Sequence, residues 1–242
     1  MAKEQLIEEP FVFHDGIERK IAIKLSSRAR RLQLKVDHFD GGVHLTLPRS
    51  VPPSKGMEFV RKQQAWILAK LSRLETGHPF VDGMTLPYRG RFCQVVHTGG
   101  RGLVSYHAEE AKIRVHGLIE HLPRRLLDWL KKEAKSELSR RSVAKAHKLG
   151  LTVKQISIRD QKTRWGSCSS NKTLSYSWRL IMAPVNVLDY MAAHEVAHLV
   201  EMNHGPNFWR LTDSLLEPTT DREEAQRWLK NEGRKLFSYG RE

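Results

Sequence analysis

Residues 185–209 read VNVLDYMAAHEVAHLVEMNHGPNFW and contain three closely spaced histidines. His194 and His198 are four residues apart, so a helix places both imidazoles on one face, about 40° apart around its axis. Two imidazoles in that arrangement can bind one zinc ion. Glu195 follows His194 on the same side, where its carboxylate can take a proton from a water on that ion. The segment therefore predicts a helix that carries a catalytic metal site.

A third ligand is expected just beyond this helix, because a catalytic zinc usually has three protein ligands and one open position. His204 is the first candidate, since Asn203-His204-Gly205-Pro206 is typical of a turn that would bring the imidazole back over the ion. Glu217, supplied by a later helix, is the second candidate. The histidine spacing equals that of the metzincin motif, but Glu201 stands where that motif has glycine. We therefore expect a different turn.

The alternative to a metal site is a buried helix whose histidines bond to neighbouring groups. Burying His194, Glu195 and His198 together without a metal would leave several polar groups in need of partners, which favours the metal. Tyr190 shares the histidine face and is a candidate substrate contact or a support for His194. A packed aromatic side chain is the other interpretation of Tyr190, and Asp189 is undecided as an orienter of a histidine.

The composition predicts a folded protein that needs no disulfides. The chain has 242 residues, of which 40% are apolar, enough for one large domain or two small ones. It lacks the run of about 18 apolar residues that spans a bilayer, and its N-terminus has no apolar signal segment. Cys93 and Cys168 show no paired spacing. We expect a cytoplasmic protein with no membrane partner.

The net charge of +14, from 41 basic and 27 acidic residues, attracts polyanions. The densest basic clusters are Arg28-Arg30-Arg31 and residues 124–148. Nothing in the sequence matches a helix-turn-helix, zinc-finger or RNP pattern. A solvated basic surface and a nucleic-acid partner therefore both stay open.

Hydrophobic patterning predicts an α+β fold with a β-rich first half and one helix within it. Strands are predicted at 21–25, 32–36, 43–47, 85–88, 91–97, 103–107 and 112–115. Between the two groups of strands, a helix is predicted from Pro52 to about Glu75, and a turn is expected at 40–42.

The second half is predicted to be mostly helical. A long amphipathic helix at 122–148 precedes two strands, 153–158 and 173–178, which flank a loop at 163–171. Three helices follow, at 184–201, 207–216 and 220–236. The weakest continuity lies at 117–123, so we expect two domains, 1–118 and 119–242.

The loop before the metal helix carries a resemblance to a known family. Its residues are Arg164-Trp165-Gly166-Ser167-Cys168-Ser169, followed by 174–180 and Ala183-Pro184. Together with 194–198, Asn203-His204 and Phe208-Trp209, this run resembles the YgjP-like metal-dependent hydrolases, bacterial relatives of the WLM and SprT-type zincin peptidase domains. The specific resemblance covers about residues 160–210. A weaker one includes Arg30-Arg31-Leu32, 45–48 and Trp66-Ile67.

The resemblance implies one zinc ion held by His194, His198 and His204, with Glu195 as the catalytic base. It also implies a zincin-like core: a long helix, a small antiparallel sheet, the metal helix and C-terminal helices. It leaves the substrate open.

Arg164 is the loop residue of greatest functional interest. A cation beside the cleft would stabilise an oxyanion or hold an anionic substrate group, although stacking on Trp165 or pairing with a carboxylate would also explain it. Cys168 is not expected to be a nucleophile, because no base is placed for it and cysteine commonly packs in cores.

Three functions follow from these residues. The first is a zinc metallopeptidase acting on a peptide or protein. The second is a metal-dependent hydrolase of a phosphorylated or nucleotide substrate, which the charge and Arg164 suit but no P-loop glycine pattern supports. The third is a DNA-associated protease or a basic nucleic-acid-binding module with structural zinc. Structural zinc usually has four protein ligands and many cysteines, so three visible ligands favour catalysis.

Overall fold

Two units make up the chain, and each has its own hydrophobic core. The computed structural model describes residues 5–37, 41–72, 77–161 and 163–241. The first unit ends at residue 76 and the second begins at Gly77. This division differs from the predicted one at 117–123, because apolar residues of 80–115 share a core with the long helix that follows them.

The first unit is a four-stranded sheet followed by two helices. Its elements are β1 (Gln5–Val12), β2 (Glu18–Ser26), β3 (Gln33–Val36), β4 (Val43–Pro48), α1 (Pro53–Lys62) and α2 (Gln64–Leu71). The strand order is β1-β2-β4-β3, with β2 parallel to β4 and both edge strands antiparallel to their neighbours. Ile21 and Ile23 of β2 and the alternate residues 43, 45 and 47 of β4 are buried with Val60 and Ile67 of the helices, as the alternating pattern predicts.

The structure differs from the predictions for this unit in two places. No strand was predicted at β1, because its apolar residues are interrupted by Glu8, Glu9 and Pro10. The helix predicted from 52 to 75 is two helices that break at Gln63. The buried Gln64 side chain donates to the Arg61 carbonyl, which stabilises the break. Residues 73–75 and the start of the predicted turn at 40–42 lie outside the described residues.

The second unit begins with a sheet of the same order and the same strand directions. Its strands are β5 (Thr85–Tyr88), β6 (Arg91–His97), β7 (Ser105–His107) and β8 (Lys112–Val115), ordered β5-β6-β8-β7. A short 3-10 turn (Ile119–His121) leads into α3 (Leu122–Lys148), which has the predicted bounds. The buried stripe of α3 joins the core of this sheet.

A three-stranded sheet comes next, made of β9 (Gln155–Arg159), β10 (Gly166–Cys168) and β11 (Thr173–Ser177) in the order β10-β11-β9. The expected antiparallel sheet is instead mixed, because β11 forms its hairpin with β10 and runs parallel to β9. β10 lies inside the predicted loop at 163–171. Its Gly-Ser-Cys sequence has no β-branched or aromatic residue that would indicate a strand.

Three helices complete the chain: α4 (Val185–Ala197), α5 (Pro206–Leu215) and α6 (Arg222–Asn231), with 3-10 turns at Trp178–Met182 and Gly233–Ser238. α4 contacts α3, α5, α6 and β10 and is buried on nearly all sides. It ends before the predicted Glu201, because the N–H groups of Leu199 and Val200 bond to carbonyls three residues back. α6 likewise stops at Asn231. The fold is mixed α and β, as predicted.

Both cysteines are free, with Cys93 buried and Cys168 partly buried. Among the described residues, no helix combines the length and apolar character needed to cross a membrane.

Candidate metal centre

Three imidazoles converge at the end of α4. His194 and His198 lie one turn apart, and the chain turns back after the helix so that His204 faces both. The Nε2 atom of His204 lies 3.2 Å from that of His194 and 3.1 Å from that of His198. Tetrahedral zinc with Zn–N bonds of about 2.0–2.1 Å would place its nitrogen ligands about 3.3 Å apart. The three nitrogens therefore fit one zinc ion.

Neighbouring groups orient two of these rings through their Nδ1 atoms. His198 Nδ1 donates to the carbonyl oxygen of Glu201 at 2.9 Å, which leaves Nε2 with a lone pair in the neutral ring. His194 Nδ1 pairs with the Tyr190 hydroxyl at 3.3 Å, and that hydroxyl accepts from Gln226 at 3.0 Å. Such second partners fix the ring orientation that a metal ligand needs.

The ionisation of these histidines also suits a metal. Burial, together with the neighbouring His198 and His204 rings, lowers the pKa of His194 to about 4. Burial lowers the pKa of His198 as well. Both rings are therefore neutral near pH 7, which is the state that binds a metal.

Two aromatic side chains of α5 support the three imidazoles. Phe208 is fully buried, and its ring centroid lies 4.5–5.0 Å from the centroids of all three histidines. Trp209 stacks on His204 with centroids 5.6 Å apart. Gly205 and Pro206 start α5 immediately after His204, so the turn that returns this imidazole also places the aromatic support.

Glu201 explains how this turn differs from a metzincin turn. Its backbone φ is not in the positive region, where a glycine would be favoured. Its carbonyl instead points back to His198, as described above. The expectation of a different turn is therefore consistent with the backbone.

Glu195 lies beside the histidines and is held against the edge strand β10. Its side chain is 3% exposed, and its Oε2 has no hydrogen-bond partner within the part of the chain that the structure describes. Burial raises the pKa of Glu195 to about 8, and the positive charge of Arg164 opposes that rise. A Cβ atom on Gly166 would lie 2.3 Å from Glu195 Oε1, so a side chain there would collide with the carboxylate.

Arg164 precedes β10, and Cys168 is the last residue of that strand. Arg164 is exposed, its charge acts on Glu195, and no ion pair joins it to another described residue. Trp165 stacks on Phe237 at 4.8 Å, which leaves the Arg164–Trp165 stacking interpretation without support. Burial and the nearby Glu195 raise the pKa of the Cys168 thiol, which disfavours the thiolate that a nucleophile requires.

The two other candidates, Glu217 and Asp189, belong to a different cluster. Glu217 is not in the group of metal-binding side chains and lies 4.0 Å from both Lys145 and Lys148. Asp189 is 1% exposed and contacts Lys145 at 2.7 Å, Arg141 at 3.2 Å and the N–H of Glu217 at 2.9 Å. Asp189 orients no histidine.

Sequence reasoning missed the parts of the site that depend on distant residues. Gln226, which bonds to Tyr190, is on α6 and nothing in its local sequence marks it. Gly166 was part of a motif, but its contact with Glu195 is visible only when β10 and α4 are brought together.

Comparison with known proteins places the chain in a family. A family model, the YgjP-like metallopeptidase domain, matches residues 30–232. The chain belongs to the YgjP-like metallopeptidase family. This membership supports a metal-dependent hydrolase, and the three histidines form a group that could hold a metal ion.

Two further comparisons add less than the family does. No curated protein sequence matches. Among solved structures, the metallopeptidase zymogen of Pyrococcus abyssi abylysin is similar at 20% identity, over 44% of this chain and 95% of that chain, with a TM-score of 0.30.

Proposed function

We propose that this YgjP-like chain is a zinc-dependent metallopeptidase in which His194, His198 and His204 hold the ion and Glu195 is the catalytic base. The observation that carries the proposal is the convergence of three Nε2 atoms beside a buried carboxylate with an oxygen that bonds to no described residue. That carboxylate oxygen is free to accept a proton from water.

Zinc, when bound, supplies a Lewis acid that polarises the scissile carbonyl and makes water more acidic. Glu195 accepts a proton from the attacking water, whose oxygen forms a bond to the carbonyl carbon. The C–N bond then breaks, and Glu195 passes its proton to the departing amine. Burial raises the pKa of Glu195 to about 8, so its ionised form takes up a proton from water readily.

The edge strand β10 supports a peptide as the substrate. Among the described residues β10 pairs with β11 on one side only, and such an edge strand could pair with an extended peptide on its other side. Gly166 on this strand borders Glu195, which would bring a paired peptide bond next to the base. The positive charge of Arg164, two residues before Gly166, would stabilise the oxyanion.

Glu195→Gln tests the role of the base. We expect the variant to keep its zinc, measured by metal analysis, and to lose about 10²–10⁴-fold in kcat on a peptide library. Glu217→Gln is the matched control, since it makes the same change at the alternative ligand. It should keep both metal and turnover. Full activity in Glu195→Gln, or metal loss in Glu217→Gln, would refute the assignment.

A phosphorylated or nucleotide substrate is the second candidate, favoured by one observation. Arg164 is exposed, pairs with no described acid and lies near enough to Glu195 to act on its carboxyl group. Such a cation would hold a phosphate as readily as an oxyanion. Nucleoside triphosphates and peptides should be compared with metal-loaded and metal-stripped protein. Metal-dependent turnover of the triphosphates alone would replace the peptidase proposal with this one.

A further inference from the structure

Four arginines project from one end of the first unit's sheet. β2 and β4 are parallel and in register from Ile21↔Val43 to Ser26↔Pro48, so both strands end at the same edge. The loop after β2 carries Arg28, Arg30 and Arg31, and the residue after β4 is Arg49. All four side chains are exposed, and none forms an ion pair within the described ranges.

The face of the same sheet that is turned away from the unit's two helices extends this positive charge. The buried residues of β2 and β4 point to the helices, so the alternating residues between them point away. Lys20 and Lys24 of β2 and Lys35 of β3 are on this outward face. We call these three lysines and the four arginines the basic face. It extends about 20 Å from Lys20 to the end of β2.

Acidic groups concentrate away from the arginines. Asp15 and Glu18 lie at the β1–β2 turn, and Asp37 follows β3, which ends beside the start of β4. These three residues are therefore at the opposite end of the sheet. On the outward face itself, Glu8 contacts Lys20 at 3.4 Å. The sheet is thus electrically polarised from one end to the other.

We propose that the basic face binds the phosphate backbone of a nucleic-acid duplex. Planar guanidinium groups match phosphate oxygens, and a duplex presents one charge about every 1.7 Å of its axis, so the face meets several phosphates at once. Single strands are usually held on stacked aromatic rings, and the outward positions of these strands carry no Phe, Tyr or Trp. The binding reads no base sequence.

An anionic membrane fits this surface less well. Membrane-surface elements place a continuous apolar face beside their basic residues. The exposed apolar residues Leu6 and Val12 stand at opposite ends of β1 instead of forming such a face.

Salt dependence of duplex binding by the full chain is the decisive measurement. Four phosphate contacts give a slope of log affinity against log salt of about −3.6, a loss of about a hundredfold between about 50 and 200 mM salt. Replacing Arg28, Arg30, Arg31 and Arg49 by Gln should flatten that slope by about 3.6. The four corresponding Lys replacements keep the charges and should largely keep the slope.

A matched variant separates the basic face from overall charge. Replacing Arg124, Lys131, Lys132 and Lys135 of α3 by Gln removes an equal number of positive charges, four, from the second unit. This variant should leave the salt slope nearly unchanged. An equal flattening of the salt slope in the two variants would overturn the proposal, as would no duplex binding at low salt.

Two further measurements use the unmodified protein. Adding a DNA duplex should slow amide hydrogen exchange at residues 26–32 and 49–50, and an RNA duplex should do the same, since the shared phosphates make the contacts. Phosphatidylserine vesicles should compete poorly. Absence of protection in this loop, or preferential binding to vesicles, would refute duplex binding. None of these outcomes depends on peptidase activity.

Discussion

The helix α4 carries two polar clusters that differ in how well their groups are satisfied. On one side, Glu195 has a buried carboxylate oxygen with no hydrogen-bond partner among the described residues, next to three converging imidazoles. On the other side, Asp189 accepts from Lys145, Arg141 and the N–H of Glu217. Lys145 in turn donates to the Leu215 carbonyl at 2.5 Å.

From this difference we infer a reactive site and a structural one on the same helix. Burial of a polar group without a partner costs stability, so a chain keeps such a group where its reactivity is used. The Asp189 cluster joins α3, α4 and the end of α5, and it leaves neither carboxylate oxygen without a donor. We therefore expect changes at Asp189 to affect folding and changes near Glu195 to affect turnover.

The largest expected effect is on stability. Asp189→Asn should lower the free energy of unfolding by about 3–5 kcal/mol, because it leaves Lys145 buried without its counter-charge. Chemical denaturation measures the loss. Glu195→Gln, an equally conservative change on the same helix, should cost far less.

A double variant sharpens this prediction. Lys145→Met added to Asp189→Asn removes the buried charge and should recover part of the lost stability. Equal destabilisation by Asp189→Asn and Glu195→Gln would remove the distinction between the two clusters.

Gly166→Ala should come next in size and act on catalysis. The added Cβ would displace the Glu195 carboxylate, and a shift of about 1 Å in a catalytic group costs about 10²-fold in kcat. Metal content should stay the same. Gly205→Ala is the matched control, because no atom lies within 4 Å of the Cβ position and its φ of −82° suits alanine. Similar kcat values for the two variants would show that β10 does not constrain Glu195.

Tyr190→Phe should have a smaller effect, on metal affinity. The change removes the hydroxyl that pairs with His194 Nδ1 and keeps the ring, so zinc should bind about tenfold more weakly in a chelator competition. Tyr88→Phe is the control, since the Tyr88 hydroxyl bonds to Glu133 instead. If both variants bind zinc like the unmodified protein, Tyr190 does not support the site.

The smallest expected effect is a pH dependence that belongs to Asp189. Burial alone would raise its pKa, but the Glu217 N–H, Lys145 and Arg141 together lower it below the ordinary value of 3.8. Asp189 therefore stabilises the fold fully above about pH 3.8 and loses this contribution as the pH falls through its lower folded value.

Acid unfolding of Asp189→Asn checks that sign. Stability measured against pH should fall less steeply in the variant than in the unmodified protein below about pH 4. Glu137, which bonds to Arg141 and Arg140, also has a lowered pKa and titrates in both proteins, so the difference between the curves isolates Asp189. Parallel curves would contradict the assignment.

The parts of the structure that depend on local geometry were predictable from the sequence. The spacing of His194 and His198 fixes their common face, and the turn residues after His198 indicated the return of His204. The bounds of α3, β5, β6 and β8 followed from apolar periodicity. These features depend on residues a few positions apart.

The parts that depend on distant partners were not predictable. Alternation in 85–115 indicated a buried face but not that α3 would cover it, which explains the different unit boundary. Asp189 looked like a possible histidine orienter, because nothing local shows that Lys145 and Arg141 reach it from α3. The break between α1 and α2 is accompanied by a hydrogen bond from the Gln64 side chain to the Arg61 carbonyl, which residue preferences do not predict.

The order of strands in the first sheet occurs again in the second, with the same pattern of parallel and antiparallel neighbours. The two sheets thus share one topology but pack against different helices. The second sheet shares its core with α3, which also packs on α4. The first sheet packs against the short helices α1 and α2 and forms a separate core. Strand order alone therefore does not indicate what each sheet does in this protein. The two sheets differ in the helices that pack against them.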